Sequence, residues 1–216
     1  MGLPITVTKT LAAASVNNIA LSQTPSGAGN LTLNGSTVTG GVATLDTARR
    51  VLFTFAANEA ARTFVVYGTN EYGNAQQENV TGTASTAVTL KDYKTVTRIS
   101  VDAATAGALT VGTNGVGASA WLSVSRSMTP SNISASVVVT GTVNYTVQYT
   151  YDPDPFGFTP NPSGPVATTF NHPLLTAQTA TAEGTFTYPV TAIRLVVNSG
   201  TGSAALTLLQ AGIAGP

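Results

Sequence analysis

A chain of 216 residues has room for two domains of about a hundred residues, each with a core of its own. Nine basic residues balance nine acidic ones, charged residues make up 8% of the chain, and the charges are scattered, which argues against a nucleic-acid groove. Without cysteine there is no disulfide framework and no thiolate metal site, and no apolar run approaches the roughly 20 residues of a membrane-spanning helix.

The chain opens with Met1-Gly2-Leu3-Pro4-Ile5-Thr6-Val7-Thr8, which lacks the basic and then apolar stretch of a secretory leader. Ile5 and Val7 alternate with threonines, so residues 1–15 read as an N-terminal arm that adds to the edge of a neighbouring sheet. Ala12 to Asn17 is the best helical stretch, and it is short. Strand signals then recur at Leu31–Leu33, Val51–Phe55, Phe64–Tyr67, Val88–Leu90, Val96–Val101, Leu109–Val111, Trp121–Val124, Ile133–Val139, Tyr145–Tyr151, Thr185–Tyr188, Ile193–Val197 and Leu206–Leu209. The clearest alternation sets Val143, Tyr145, Val147, Tyr149 and Tyr151 on one face and Asn144, Thr146, Gln148 and Thr150 on the other. Threonine, at 37 residues, supplies much of the polar surface that charge does not.

Several strand phrases are written twice. Val96-Thr97-Arg98-Ile99 followed by Ala108-Leu109-Thr110-Val111 matches Val190-Thr191-Ala192-Ile193 followed by Ala205-Leu206-Thr207-Leu208. Val51 to Phe55 followed by Thr63 to Tyr67 matches Ile133 to Val137 followed by Asn144 to Gln148. The repetition predicts an all-β protein of two tandem β-sandwich or jelly-roll-like modules, residues 16–115 and 118–216, with Ile99 equivalent to Ile193 and Leu109 to Leu206. The glycine-rich stretch Gly112 to Ser119 reads as the connection. The later copy carries an insertion, 152–165, whose five prolines make it a stiff loop, and its Phe156 and Phe158 either dock on a partner or fold over their own module.

Residues that carry chemistry are few. His172 is the one histidine, it precedes Pro173, and no Gly-x-Ser-x-Gly elbow accompanies it. Asp152 and Asp154 fit a shared cation less simply than they fit turn chemistry, and Glu71 and Glu78 flank the turn Tyr72-Gly73-Asn74. Arg49-Arg50 is the basic doublet, read as a partner contact or a solvated strand end. No catalytic, metal or cofactor-binding residue is assigned. The expected partner contacts are Ile5, Val7, Arg49, Arg50, Tyr72, Phe156 and Phe158.

Asn17-Asn18-Ile19-Ala20-Leu21-Ser22-Gln23-Thr24-Pro25, Arg49-Arg50-Val51, Tyr67-Gly68-Thr69-Asn70-Glu71-Tyr72-Gly73-Asn74 and Gly141 to Asp152 together resemble a group of virion structural proteins of tailed bacteriophages. The resemblance covers residues 16–152 and, more loosely, the remainder. It implies membership of the particle and not a position within it; a small, neutral, Thr-rich all-β chain without enzymatic residues suits a capsid decoration (cement) protein that bridges major capsid subunits, as a homo-oligomer with a trimer favoured, binding neither nucleic acid nor membrane. A neck, tail or fibre-attachment protein is the alternative place in the particle. A carbohydrate- or host-binding β-sandwich is the alternative class, carried by Tyr145, Tyr149 and Tyr151.

Overall fold

The computed structural model of the chain describes residues 5–125, 128–156, 163–164 and 166–214. No helix occurs among them: the protein is all-β, with large antiparallel sheets. The chain packs as two compact units. The central unit, central only in the order of the chain, is residues 14–114 with part of the insertion. The outer unit combines the N-terminal segment up to Ala13, the chain from Gly115 to the start of the insertion, and the chain from Ala167 onward.

In chain order, the strands are β1 (Ile5–Thr10), β2 (Ser15–Gln23), β3 (Gly29–Asn30), β4 (Val38–Thr39), β5 (Val42–Phe55), β6 (Thr63–Thr69), β7 (Ala75–Thr81), β8 (Thr86–Val88) and β9 (Tyr93–Val101). They continue as β10 (Leu109–Ala118), β11 (Leu122–Ser123), β12 (Met128–Thr140), β13 (Val143–Thr150), β14 (Phe170–Asn171), β15 (Ala182–Phe186), β16 (Ala192–Gly200) and β17 (Ser203–Ala214). In the central unit β10 lies between β2 and β5, and β5 carries β8 on its far side. There β9 pairs with β6, β6 with β7, and the short β3 adds to β9. Several of these pairings recur in the outer unit, although β4 and the pairing of β5 with β9 have no counterpart among its described strands. β17 lies between β1 and β12, and β12 carries β15. β16 pairs with β13, β13 with β14, and the short β11 adds to β16.

Alternation decides which face of each strand is buried, and both units are β-sandwich-like because inward side chains from two groups of strands share one core. The central core joins Ile19, Val51, Phe53, Phe64, Ile99 and Val111. The outer core joins Ile133, Val137, Tyr145, Leu195, Leu206 and Phe186. Ile99, Ile193, Leu109 and Leu206 are all buried. The cross-strand partners refine how the copies align. Val66 pairs with Ile99, and Val147 pairs with Leu195, which matches Ile99 to Leu195. The short strands match it to Ile193 instead, since Leu31 N–H donates to Ile99 C=O at 2.8 Å and Leu122 pairs with Ile193. The two alignments differ by two residues, which leaves every side chain on the same face.

Three local expectations change. The stretch read as helical leads into β2, because Ile19 and Ala20 fill the central core. The glycine-rich stretch read as a connection is largely strand β10. A Cβ on Gly112 would lie 1.9 Å from Ser15 C=O, so that glycine permits close approach of β2 rather than flexibility. Residues 5–10 are seated in their own chain, in register from Ile5 opposite Leu208 to Thr10 opposite Ser203.

Tyr93, fully buried on β9, donates from its hydroxyl to Val66 C=O at 3.3 Å. Burial pushes its phenol far above the usual range, with the Glu78 carboxylate adding to the effect. A folded-state pKa above the unfolded value near 10 gives stability that is complete below pH ~10 and is lost as pH rises beyond it. Tyr93→Phe is therefore expected to cost about 1 kcal/mol at neutral pH and to flatten the decline above pH ~10, read by urea denaturation across that range.

Candidate functional site

The alternating strand β13 leads from the outer core to the surface. Val143, Tyr145 and Val147 are fully buried, Tyr149 is half-buried, and Tyr151, the residue after the strand, is 51% exposed. Phe170 on β14 pairs with Tyr149, and their rings stack with centroids 5.6 Å apart. Tyr151 meets Phe170 edge-on at 5.5 Å and Tyr149 edge-on at 5.7 Å. Tyr188 and the buried Phe186 also pack on Tyr149, at 5.7 and 5.5 Å. The result is one continuous aromatic cluster, anchored in the core at Phe186 and opening to solvent at Tyr151 and Phe170.

The backbone around Tyr151 is pinned. Thr150 Oγ1 donates to Thr168 C=O at 2.7 Å, Asp152 N–H donates to Thr150 Oγ1 at 3.0 Å, and Thr168 N–H donates to Asp152 Oδ2 at 2.7 Å. These bonds close the base of the proline-rich insertion and hold Tyr151 between two clamped residues. They also employ the Asp152 carboxylate as a loop fastener, in keeping with turn chemistry. A hydrogen bond with Tyr188 holds the Tyr149 phenol above its usual range.

His172 is 2% exposed and sits against Phe186, with ring centroids 4.7 Å apart. Leu174 N–H donates to its Nδ1, and its Nε2 lies 3.2 Å from Thr185 C=O, so Nε2 carries the proton. The imidazole rests over Gly184, where a Cβ would come within 2.5 Å of Cε1. Both ring nitrogens serve the fold. His172→Ala is expected to cost about 2–4 kcal/mol by opening a void and stranding two backbone groups, as read by chemical denaturation.

The expected contact residues are distributed over both units. Ile5 is exposed at the start of β1, whereas Val7 is half-buried and packs on the outer core. Arg49 is fully buried: Nη1 is 3.3 Å from Asp46 Oδ1, and Nη2 donates to Asn114 C=O at 2.7 Å. That burial gives it a structural task in place of a partner contact. Arg50, partly exposed, pairs with Asp92 at 3.0 Å. Tyr72 lies half-buried in the β6–β7 turn, where Asn70 Oδ1 accepts from Tyr72 N–H and Asn74 N–H. Glu71 of the same turn accepts from Ala48 N–H at 2.8 Å, which brings the turn to the strand that carries Arg49 and Arg50. Phe156 is half-buried, and Phe158 lies outside the described residues. Within the insertion, Ser163 Oγ accepts from Gln77 Nε2 at 2.7 Å.

Sequence reasoning missed the exposed partner of the tyrosines. Phe170 precedes Asn171-His172-Pro173 with no alternating neighbours to mark a strand, so only its pairing with Tyr149 reveals it. It also missed two stacked arginines, Arg98 over Tyr67 at 3.8 Å and Arg194 over Trp121 at 4.6 Å, since each aromatic is remote in sequence from its arginine. No protein-family model matches the chain, and no curated protein is a significant match to its sequence.

Proposed function

We propose that the chain is a non-enzymatic structural protein of a tailed-phage particle, a decoration protein that stabilises the head by bridging major capsid subunits. The observation that carries this reading is the exposed aromatic edge, Tyr151 with Phe170, on a clamped backbone. Aromatic side chains already held in place lose little entropy on docking and make efficient anchors. A second feature supports it. The outer face of the sheet formed by β1, β17, β12 and β15 presents Thr6, Thr8, Ser134, Thr207, Val138 and Leu209, and Glu183 is the charged side chain on that face among the described residues. A hydroxyl-rich face with so little charge docks with little of the heavy desolvation cost of buried ions. Many copies would multiply individually modest contacts.

Particles assembled without the chain are expected to release DNA at a lower temperature, with the loss restored by adding purified protein. An unchanged release temperature would oppose the decoration reading. The same exposed rings favour a second reading, a carbohydrate-binding module, because sugar rings stack on aromatic faces. Saturable binding on a glycan array, abolished by Tyr151→Ala, would move the assignment to that class.

A further inference from the structure

Among the described strands β7 stands last in its sheet, and the turn between β8 and β9 folds back against it. Glu78 on β7 holds that turn: Oε1 accepts from Leu90 N–H at 2.6 Å and Oε2 from Lys91 N–H at 2.8 Å. The Lys91 amine donates in turn to Gln77 C=O at 3.0 Å, so the backbone and the tip of this lysine are both fastened to β7. An open cleft of about 250 Å³ lies beside it, lined by Gln77, Glu78, Asn79, Lys91 and Ser163, all of the central unit. We propose that this cleft binds small hydroxylated aldehydes and that Lys91 holds them as an imine. The inference does not depend on the particle reading.

The walls of the cleft set the chemistry. An amine that is not protonated attacks a carbonyl carbon through its lone pair; both nitrogen protons then leave with the carbonyl oxygen as water, and a C=N bond remains. The step needs neither oxidant nor reductant. Burial pushes the Lys91 amine below the ordinary lysine range, against the opposing pull of the Glu78 carboxylate, so more of it is neutral than in a solvated lysine. Asp92, next in the chain, has its carboxylate paired with Arg50 at 3.0 Å. The rest of the lining selects the aldehyde. Gln77 and Asn79 lie two residues apart on β7 and so project from one face, and Gln77 Nε2 donates to Ser163 Oγ at 2.7 Å. Amide and hydroxyl groups thus stand beside the amine, where they can donate to and accept from the hydroxyls of a ligand. None of the five lining side chains is a hydrocarbon, so a hydroxylated aldehyde is favoured over an aliphatic one. The cleft is also smaller than the roughly 300–1,000 Å³ of drug-sized sites, which suits a ligand of a few carbons.

The chain has three lysines, so Lys9 and Lys94 serve as internal controls. The folded chain is incubated at neutral pH with glyceraldehyde and cyanoborohydride, which reduces each imine as it forms, and the adducts are located by peptide mass spectrometry. Lys91 should carry a several-fold excess of adduct over Lys9 and Lys94, saturating with glyceraldehyde and shrinking as pH approaches the ordinary lysine value of about 10.4. Asn79 is exposed on β7, so Asn79→Ala leaves the fold in place, which a thermal melt checks. That variant should lose most of the Lys91 excess with glyceraldehyde and keep its labelling by formaldehyde, which has no hydroxyl to be held. Equal labelling of the three lysines would overturn the proposal. A Lys91 excess that Asn79→Ala leaves unchanged would overturn it too, since the cleft would then not hold the aldehyde.

Discussion

Particles should bind the Tyr151→Ala/Phe170→Ala double variant about a thousandfold more weakly than the unmodified chain, because two interface aromatics contribute roughly 2 kcal/mol each when they act as anchors. Stability should change far less. Phe170 is 42% exposed and Tyr151 51%, so each already leaves much of its ring in water, and the folded state loses roughly 1–2 kcal/mol in all. Tyr145→Ala, from the same face of the same strand, supplies the contrast. Tyr145 is fully buried, and its hydroxyl donates to Ala180 C=O at 3.1 Å. Its truncation should unfold the outer unit before any binding can be read. Co-sedimentation with purified particles, beside thermal melts of each variant, checks both halves. Equal binding by the double variant and the parent would remove the aromatic edge from the account.

Phe53→Ala should produce the largest loss of stability in the central unit, about 3–5 kcal/mol by urea denaturation. Phe53 is fully buried between Phe55 and Phe64, at centroid distances of 6.1 and 5.2 Å, so truncation removes ring contacts on two sides and leaves a void. Leu52, the preceding residue, is half-buried on the opposite face, and Leu52→Ala should cost clearly less. A similar loss at both positions would mean that alternation does not separate core from surface on β5.

That alternation is also why much of the fold was legible in the sequence. Val143, Tyr145 and Val147 advertise a buried face by spacing alone, and the duplicated phrases fall on strands that hold matching places in the two units. Pairing between distant strands was not legible. Ile5 and Val7 predict a strand but carry no information about which edge receives it, and β17 is fixed only by the assembled outer unit. Arg49 and Arg50 look alike in sequence. Asn114, 65 residues away, and Asp46 draw the first into the interior, while Asp92 keeps the second near the surface. The candidate site was half visible, because the three tyrosines alternate along one stretch of chain, two on β13 and Tyr151 just after it, while Phe170 and Tyr188 reach them through the fold. Gly112 misled for a related reason: a glycine that admits a neighbouring backbone and a glycine that frees a turn read identically until the neighbour is known.

The number of copies of this chain per purified particle, measured by quantitative mass spectrometry against the major capsid protein, tests the proposed role most directly. Decoration of the head predicts hundreds of copies in fixed ratio to the shell subunit. A count of about six or twelve, as expected for a single symmetric ring, would contradict decoration and place the chain in the neck or tail.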